Sequence, residues 1–514
     1  MHVPILAIGV PLLGAFALPL MAKVHRRLRD LWAVLVGSFT VAMIVTLAVQ
    51  VFTVGVQVYT LGAAEPDATL GPAGFPIRIT LVADAMGVFM ALISALIAGA
   101  ALVYALGYLK EGKGKTLSMS LFLLLWAGML GLKLTGDMFN FFVFLEITTV
   151  AACGLIGYRV WESRPPEAAF KTLVMFILGG LMVLLAVAVL YGEYGALNIA
   201  FLSAQIEGSL IDRVALGLLV GGLLMKAGAV PMHMWAPDAY GEADANTAIV
   251  LVANTQAGLY GLFRMVFTLY GGTPSPEVGW LVTALGALTV LVAVLMAVVQ
   301  MDLGRLVAYG AVSQIGYMLL ASGVGLVTLA TRPEFGRVAL QGGVFHMFND
   351  AACIGLLLLC VGAVRRTAGT GDLRSLGGLA HTERWTSGFF LLGALALAGI
   401  PPLNGFASKL MIYQSVFRLS PILAALAVLA SILLLAVFVR AFQGAFLGPR
   451  QLTPAKPLSP AMLVSMGVLA AVVIAFGLVP DLVVRHMVAP AADALWMGRK
   501  EYLEAVGIAI GGMR

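Results

Sequence analysis

MKAGAVPMHMW (residues 225–235) places an ammonium, Lys226, five residues ahead of a proline, Pro231, inside a long apolar run. GIPPLNGFASK (399–409) repeats the combination, with Pro401 and Pro402 followed by Lys409. A charged side chain at the centre of a bilayer costs roughly 3 kcal/mol or more. Proline removes a backbone donor and opens the helix that carries it. Irregular backbone is tolerated at membrane depth only where it is buried in protein or lines a polar cavity. A charged, interrupted helix in each half of the chain therefore reads as an ion pathway in a membrane protein built from repeats.

The composition agrees. Of 514 residues, 61% are hydrophobic and only 11% charged, against about a quarter charged in soluble chains. The expected fold is an all-α polytopic membrane protein of about fourteen transmembrane helices. Their expected limits are 3–22, 31–54, 84–109, 116–134, 138–158, 168–191, 214–235, 246–269, 278–300, 306–327, 338–364, 386–417, 421–444 and 460–480. Helices 7 and 12 carry the breaks, at Pro231 and at Pro401–Pro402. No cleavable signal is expected, because VPILAIGVPLLGAFALPLMA (3–22) lacks a basic leader. Cys153, Cys353 and Cys360 lie in apolar segments with no metal or disulfide spacing and read as small core residues.

Net charge is +6, which in such a chain reports basic loops on one side and not nucleic-acid binding. Counted on alternate sides of the spans, Lys and Arg divide 18 against 9, with Lys133, Lys226, Arg264 and Lys409 inside spans. The richer side, holding KVHRRLRD, KEGKGK and the stretch from Arg440 to Lys456, is expected in the cytoplasm and both termini outside, in the cell inner membrane. The acidic stretch APDAYGEADAN (236–246) falls on the cytoplasmic side and reads as a solvated loop, or as a cation-collecting surface. The tail from Arg485 reads either as an amphipathic helix on the outer surface or as a frayed end.

Glu146 lies midway along the fifth span. A lone carboxylate in hydrocarbon protonates, whereas a neighbouring ammonium holds it charged, so moving the partner switches it. A neutral, helix-bonded Glu is the plainer reading. Lys226 has apolar residues on both sides for more than two turns, which argues against snorkelling. Lys409 belongs to the second half of a broken helix. His346, Asn349 and Asp350 share one turn of the eleventh span and can pass protons along a water chain, or simply bond neighbouring helices. Lys171 either biases Glu146 or anchors at the interface. Asp137 reads as a polar turn or outlet residue, and Lys133 as a snorkelling residue. Arg264 is expected to pair with an acid or reach an interface.

GDMFNFFVFLEIT (136–148), LLMKAGAVPMHMWAPDA (223–239), DLGRLVAYGAVSQIGYMLL (302–320), GGVFHMFNDA (342–351) and LAGIPPLNGFASKLMIY (397–413) occur in that order. With them, the chain resembles the proton-conducting antiporter-like subunits shared by Mrp-type Na+/H+ antiporters, respiratory complex I and membrane-bound hydrogenases, over roughly residues 84–445. MFNFFVFLE (138–146) and YGEYGALNIAFLS (191–203) look closer to the D-type Mrp and hydrogenase branch. The resemblance implies two inverted five-helix repeats. They divide the chain into helices 1–3 (1–110), a first repeat of helices 4–8 (116–269), a second of helices 9–13 (276–445), and helix 14 with an outer tail (446–514). It also implies Glu146 and Lys226 as a coupled pair, Lys409 ending the other half-channel, and His346 in the polar axis between them.

Two departures stand out. The family's usual lysine on the eighth span is replaced by Gln256, within VLVANTQAGLYGLFR (250–264), and a common lysine on the eleventh by Ile354. Gln256 bonds water but holds no proton charge. The Pro-Thr-Pro-type start of the eighth span is replaced by GEADANTA (241–248).

The implied function is proton, or proton and cation, translocation as a membrane subunit of a multisubunit Mrp-like or redox-driven complex. The expected partners are other membrane subunits, protons with Na+ as a second candidate ion, and membrane lipid, with no nucleic acid. The alternative is a membrane partner coupling a soluble protein to proton flow, such as an inorganic-carbon uptake module. The sequence holds no HExxH, GxSxG triad, Walker lysine, Rossmann fingerprint or cluster-binding cysteine set. No cofactor or metal site is therefore expected in this chain. Any redox chemistry, of the NADH:quinone oxidoreductase or hydrogenase kind, would belong to partners.

Overall fold

The computed structural model describes residues 2–61, 79–112, 114–271, 276–449, 457–496 and 499–507. Lys113 of KEGKGK, the basic stretch 450–456 and the end of the tail, 508–514, lie outside the described residues.

The chain opens with α1 (Val3–Val24) and α2 (Arg26–Val54), an antiparallel pair, followed by β1 (Gln57–Thr60) and β2 (Thr80–Ala83). The next helices are α3 (Ala85–Tyr108), α4 (Lys115–Leu134), α5 (Met138–Gly157), α6 (Arg164–Tyr194), α7 (Ile199–Gln205), α8 (Leu210–Ala227) and α9 (Trp235–Glu242). Then come α10 (Ala245–Phe263), α11 (Pro276–Val298), α12 (Leu303–Thr328), α13 (Pro333–Ala368), α14 (Arg384–Ala398), α15 (Asn404–Leu419), α16 (Pro421–Phe442) and α17 (Pro460–Leu478). The chain ends in α18 (Pro480–Val483), α19 (Ala489–Trp496) and α20 (Arg499–Ala505). Among the described residues, 12 helices are long and apolar enough to cross a membrane.

Polar residues start these helices by bonding backbone donors the first turn leaves free. Asp84 accepts from Gly87 N at 2.8 Å, Asp137 from Asn140 N at 2.7 Å and Asp302 from Arg305 N at 3.0 Å. The spans expected at 214–235 and 386–417 are both interrupted. Helix α8 stops at Ala227, with Gly228 at φ +76°, and α14 stops at Ala398, with Gly399 at φ +83°. Each resumes as a second helix, α9 and α15.

Burial ranks the helices. The apolar windows of α10 and α13 are wholly buried and that of α12 nearly so, whereas α1 and α17 turn most of their apolar surface outward. Side chains facing lipid have no need to be polar, so the informative residues are the polar ones on α10, α12 and α13. Small residues let backbones touch. A Cβ on Gly286 of α11 would lie 2.7 Å from Leu320 N of α12, and one on Gly316 would lie 2.6 Å from Val290 N.

Four features add to or correct these expectations. First, the all-α polytopic class holds, and within it the chain carries one strand ribbon. Strands β1 and β2 form a short antiparallel ribbon, with Gln57 opposite Ala83. Strand pairing between segments this far apart leaves no local periodicity to read. Second, the acidic stretch 236–246 is not a solvated loop. Most of it is α9, a buried helix whose carboxylates are held by cations. Asp238 pairs with Lys171 at 2.8 Å and Arg305 at 2.9 Å, and Tyr158 donates to Asp244. Third, the described part of the tail, 485–496 and 499–507, is neither frayed nor simply laid on the surface. Val488, Leu495, Tyr502 and Leu503 are buried, and Arg337 Nε donates to Asp493 Oδ1 at 2.7 Å.

Fourth, Lys133 does not snorkel. It is fully buried and donates to Ser94 Oγ of α3. Arg264, by contrast, does find its acid. Its guanidinium grips Asp84 at 2.6 and 2.7 Å, both side chains being at most 3% exposed. Tyr260 and Tyr502 flank it, with ring centroids 5.3 and 5.2 Å away. Removing one partner of a buried pair strands the other charge, at a cost of about 3–5 kcal/mol. Arg264→Ala is therefore expected to lower the thermal midpoint of the purified protein sharply, whereas an unchanged midpoint would remove the pair from the account of stability.

Candidate functional site

Lys226 sits one residue before the end of α8, and its side chain crosses to α5. Its Nζ lies 3.2 Å from Glu146 Oε1, donates to Thr149 Oγ1, and stands 4.9 Å from the Phe176 ring centroid. The ammonium is 3% exposed and the carboxylate 29%, so Glu146 is not buried as the sequence suggested. It opens onto the outer flank of α5 and α6, among exposed Val143, Val150, Ile177 and Leu181. Gly180 of α6 makes this possible, since a Cβ there would lie 2.0 Å from Glu146 Oε1. Thr149, one turn beyond Glu146, shares the lysine and was not singled out from sequence.

The break after α8 is bonded at both edges. Trp235 Nε1 donates to Met225 O at 3.1 Å, and Val230 N donates to Thr289 Oγ1 of α11 at 3.1 Å. His233, inside the break, is buried and faces Tyr309 edge-on; its sequence context alone gives it no role. Lys171 does not reach Glu146. It binds Asp238 and Glu167, each at 2.8 Å. Asp137 caps α5 in the turn between α4 and α5, where burial pushes its carboxyl up to about 6.

On α10, Gln256 Nε2 donates to Asp350 Oδ2 and to Met347 O of α13, both at 2.9 Å. His346 and Asp350, four residues apart, divide between neighbours. His346 meets Ser408 Oγ of α15 at 3.0 Å and Gln314 Oε1 of α12 at 3.2 Å. Asn349 Nδ2 donates to Asn404 O at 2.9 Å and Ser408 Oγ at 3.0 Å. Cys353, read as a plain core residue, donates to Asn404 Oδ1 at 3.3 Å. Gln256 Oε1, Asp350 Oδ1, Asn349 Oδ1 and Asn404 Nδ2 are buried with no hydrogen-bond partner among the described residues.

Lys409 is on the first half of α15, as the double proline implied. Its Nζ donates to Leu397 O at 2.7 Å and Ser431 Oγ at 2.9 Å, and lies 4.5 Å from the Tyr317 ring centroid. Leu397 O belongs to the last turn of α14, whose carbonyls the break leaves unpaired and which favour a cation. Lys226 is thus held by a carboxylate, and Lys409 by a helix end and a ring.

A family model described as "NADH:quinone oxidoreductase/Mrp antiporter, TM" matches residues 135–434. The sequence is 30% identical over 460 residues to the D-type Na(+)/H(+) antiporter subunit of Alkalihalophilus pseudofirmus, across 87% of this chain and 88% of that one. The chain belongs to this family. Another antiporter-like relative is the N-type NADH-quinone oxidoreductase subunit of Desulforudis audaxviator, 32% identical over 439 residues, with 80% and 84% of the two chains covered. Identity to the Mrp and complex I branches is therefore alike. In the structure of the Mrp complex from Dietzia sp. DQ12-45-1b, one chain matches 99% of this one and is itself 99% covered, with a TM-score of 0.85 at 25% identity. The family's polytopic membrane fold is accordingly the fold of this antiporter-like chain. The alternative of an uptake module finds no support among these relatives.

Proposed function

We propose that this chain is a proton-translocating membrane subunit of an Mrp-like or complex I-like assembly, with Glu146 and Lys226 as its coupled switch. The observation that carries the reading is the 3.2 Å pair itself, buried at the lysine and open at the carboxylate. At an effective dielectric of about 20, opening such a pair to about 6 Å gives up roughly 2.4 kcal/mol, a change in proton affinity on the order of fifty-fold. Burying an ion costs several kcal/mol, which offsets the attraction that holds the pair together. The two protons then belong to the pair and not to either residue.

In this reading the polar axis runs from Lys226 through Gln256 and Asp350 to His346, Asn349 and Lys409. Buried polar atoms with spare hydrogen-bonding capacity along α10, α13 and α15 suit a chain of waters. The exposed carboxylate on the α5–α6 flank is the place for a neighbouring membrane subunit to act, because a charge facing lipid needs cover. Counting α8–α9 and α14–α15 as broken spans gives fourteen, arranged as helices 1–3 (1–110), two inverted repeats (116–269 and 276–445) and a final helix with its tail (446–514). The charge bias supports a cytoplasmic basic side, both termini outside, and an inner-membrane location.

The test is proton movement in vesicles carrying the assembled complex. Glu146→Gln keeps the shape and removes the charge; it is expected to lower translocation on the order of a hundredfold with assembly intact. A normal rate in that variant sinks the switch.

A further inference from the structure

Lys133 is one residue from the end of α4, close enough to the helix terminus to reach the interface. It turns the other way. Its side chain is fully buried, and its ammonium is bonded to Ser94 Oγ of α3. Among the described residues no carboxylate pairs with it. Asp84, which meets the end of α4 across Gly87, is taken by Arg264. Tyr260 closes that side by donating to Lys133 O at 2.8 Å while accepting from Arg264 Nε at 3.2 Å. The ammonium is thus sealed from the helix end and left facing inward.

Its depth can be read from neighbouring contacts. A Cβ on Gly87 of α3 would touch Lys133 O and Tyr260 Oη, and one on Gly355 of α13 would touch both Ile97 of α3 and Ile249 of α10. Phe89 of α3 faces Phe348 of α13 at 6.1 Å between ring centroids. Ser94 lies between these markers. At 1.5 Å rise per residue, that puts it within about one turn, in depth, of Gln256 on α10 and of Asp350 and Ile354 on α13. The lysine from α4 therefore reaches the depth of Gln256 and Ile354, neither of which can hold a proton charge.

We infer that Lys133, held by Ser94, is a proton-holding station of the central axis, supplying from α4 the amine that α10 and α13 lack. This rests on the proton-translocation reading above. In each cycle one N–H bond of the ammonium breaks, the proton passes to the next acceptor on the axis, the nitrogen keeps the electron pair, and a proton arriving from the other side restores the cation. An unpaired ammonium suits that task, since no counter-ion pins its charge.

The experiment measures proton translocation in vesicles carrying the assembled complex, with co-purification of the subunits as the assembly control. Lys133→Met and Lys133→Arg are both expected to lose translocation on the order of tenfold or more. Arginine keeps the charge but releases no proton, so a merely structural cation would be rescued by it. Lys133→Met combined with Gln256→Lys is expected to regain much of the rate. Ser94→Ala, which deletes one hydroxyl, is expected to slow translocation at least about threefold. A normal rate in Lys133→Met, Lys133→Arg or Ser94→Ala overturns the inference. A normal rate in Glu146→Gln overturns instead the reading on which it rests.

Discussion

Lys226→Met is expected to stop proton translocation, by a factor on the order of a hundred, in vesicles whose complex still assembles. The lysine ties the end of α8 to α5. It holds Glu146 at 3.2 Å, donates to Thr149, and lies against Phe176. Methionine fills the same volume among apolar neighbours but brings no proton and no charge. Breaking a buried pair costs heavily when the remaining charge is trapped. Here the remaining group is Glu146, 29% exposed, which can take a proton or face a neighbour. Assembly should therefore survive while transport does not. A variant that assembles and pumps normally would leave Lys226 as a structural cation only.

Lys409 separates structure from transport differently. Lys409→Met removes the donor to Leu397 O and Ser431 Oγ, leaving buried acceptors unmet at roughly 1–3 kcal/mol each. It is expected both to lower the thermal midpoint and to block proton exchange. Lys409→Arg keeps a permanent cation against the end of α14 and the Tyr317 ring, so stability should largely return. Translocation should stay low, because guanidinium does not release a proton. Full transport in the arginine variant would reduce Lys409 to a helix cap.

Much of this was legible in the sequence because hydrocarbon simplifies the code. Long apolar runs become helices, since only helices satisfy their own backbone in lipid, and prolines beside charges mark breaks. Pro231 and the Pro401–Pro402 pair duly fall between α8 and α9 and between α14 and α15. The Glu146–Lys226 contact followed from family motifs 80 residues apart.

What was not legible depends on direction and on distant partners. Sequence places Lys133 near a helix end, but only packing shows that it points inward to Ser94. It places Lys171 near Glu146 along the chain, but Asp238 lies closer in space. The acidic run 236–246 looks solvated until Lys171 of α6, Arg305 of α12, and Tyr158 and Arg159 just past α5 converge on it. Gln314, Ser408 and Ser431 carry no signal alone; they matter because His346 and Lys409 bond them.

The most direct test of the coupled switch is a double-mutant cycle on proton translocation, comparing Glu146→Gln, Lys226→Met and the two together in vesicles carrying the assembled complex. Residues that act as one unit lose their effect together, so the double variant should be no slower than either single one. Losses that multiply, or a normal rate in either single variant, would contradict the pairing of Glu146 with Lys226.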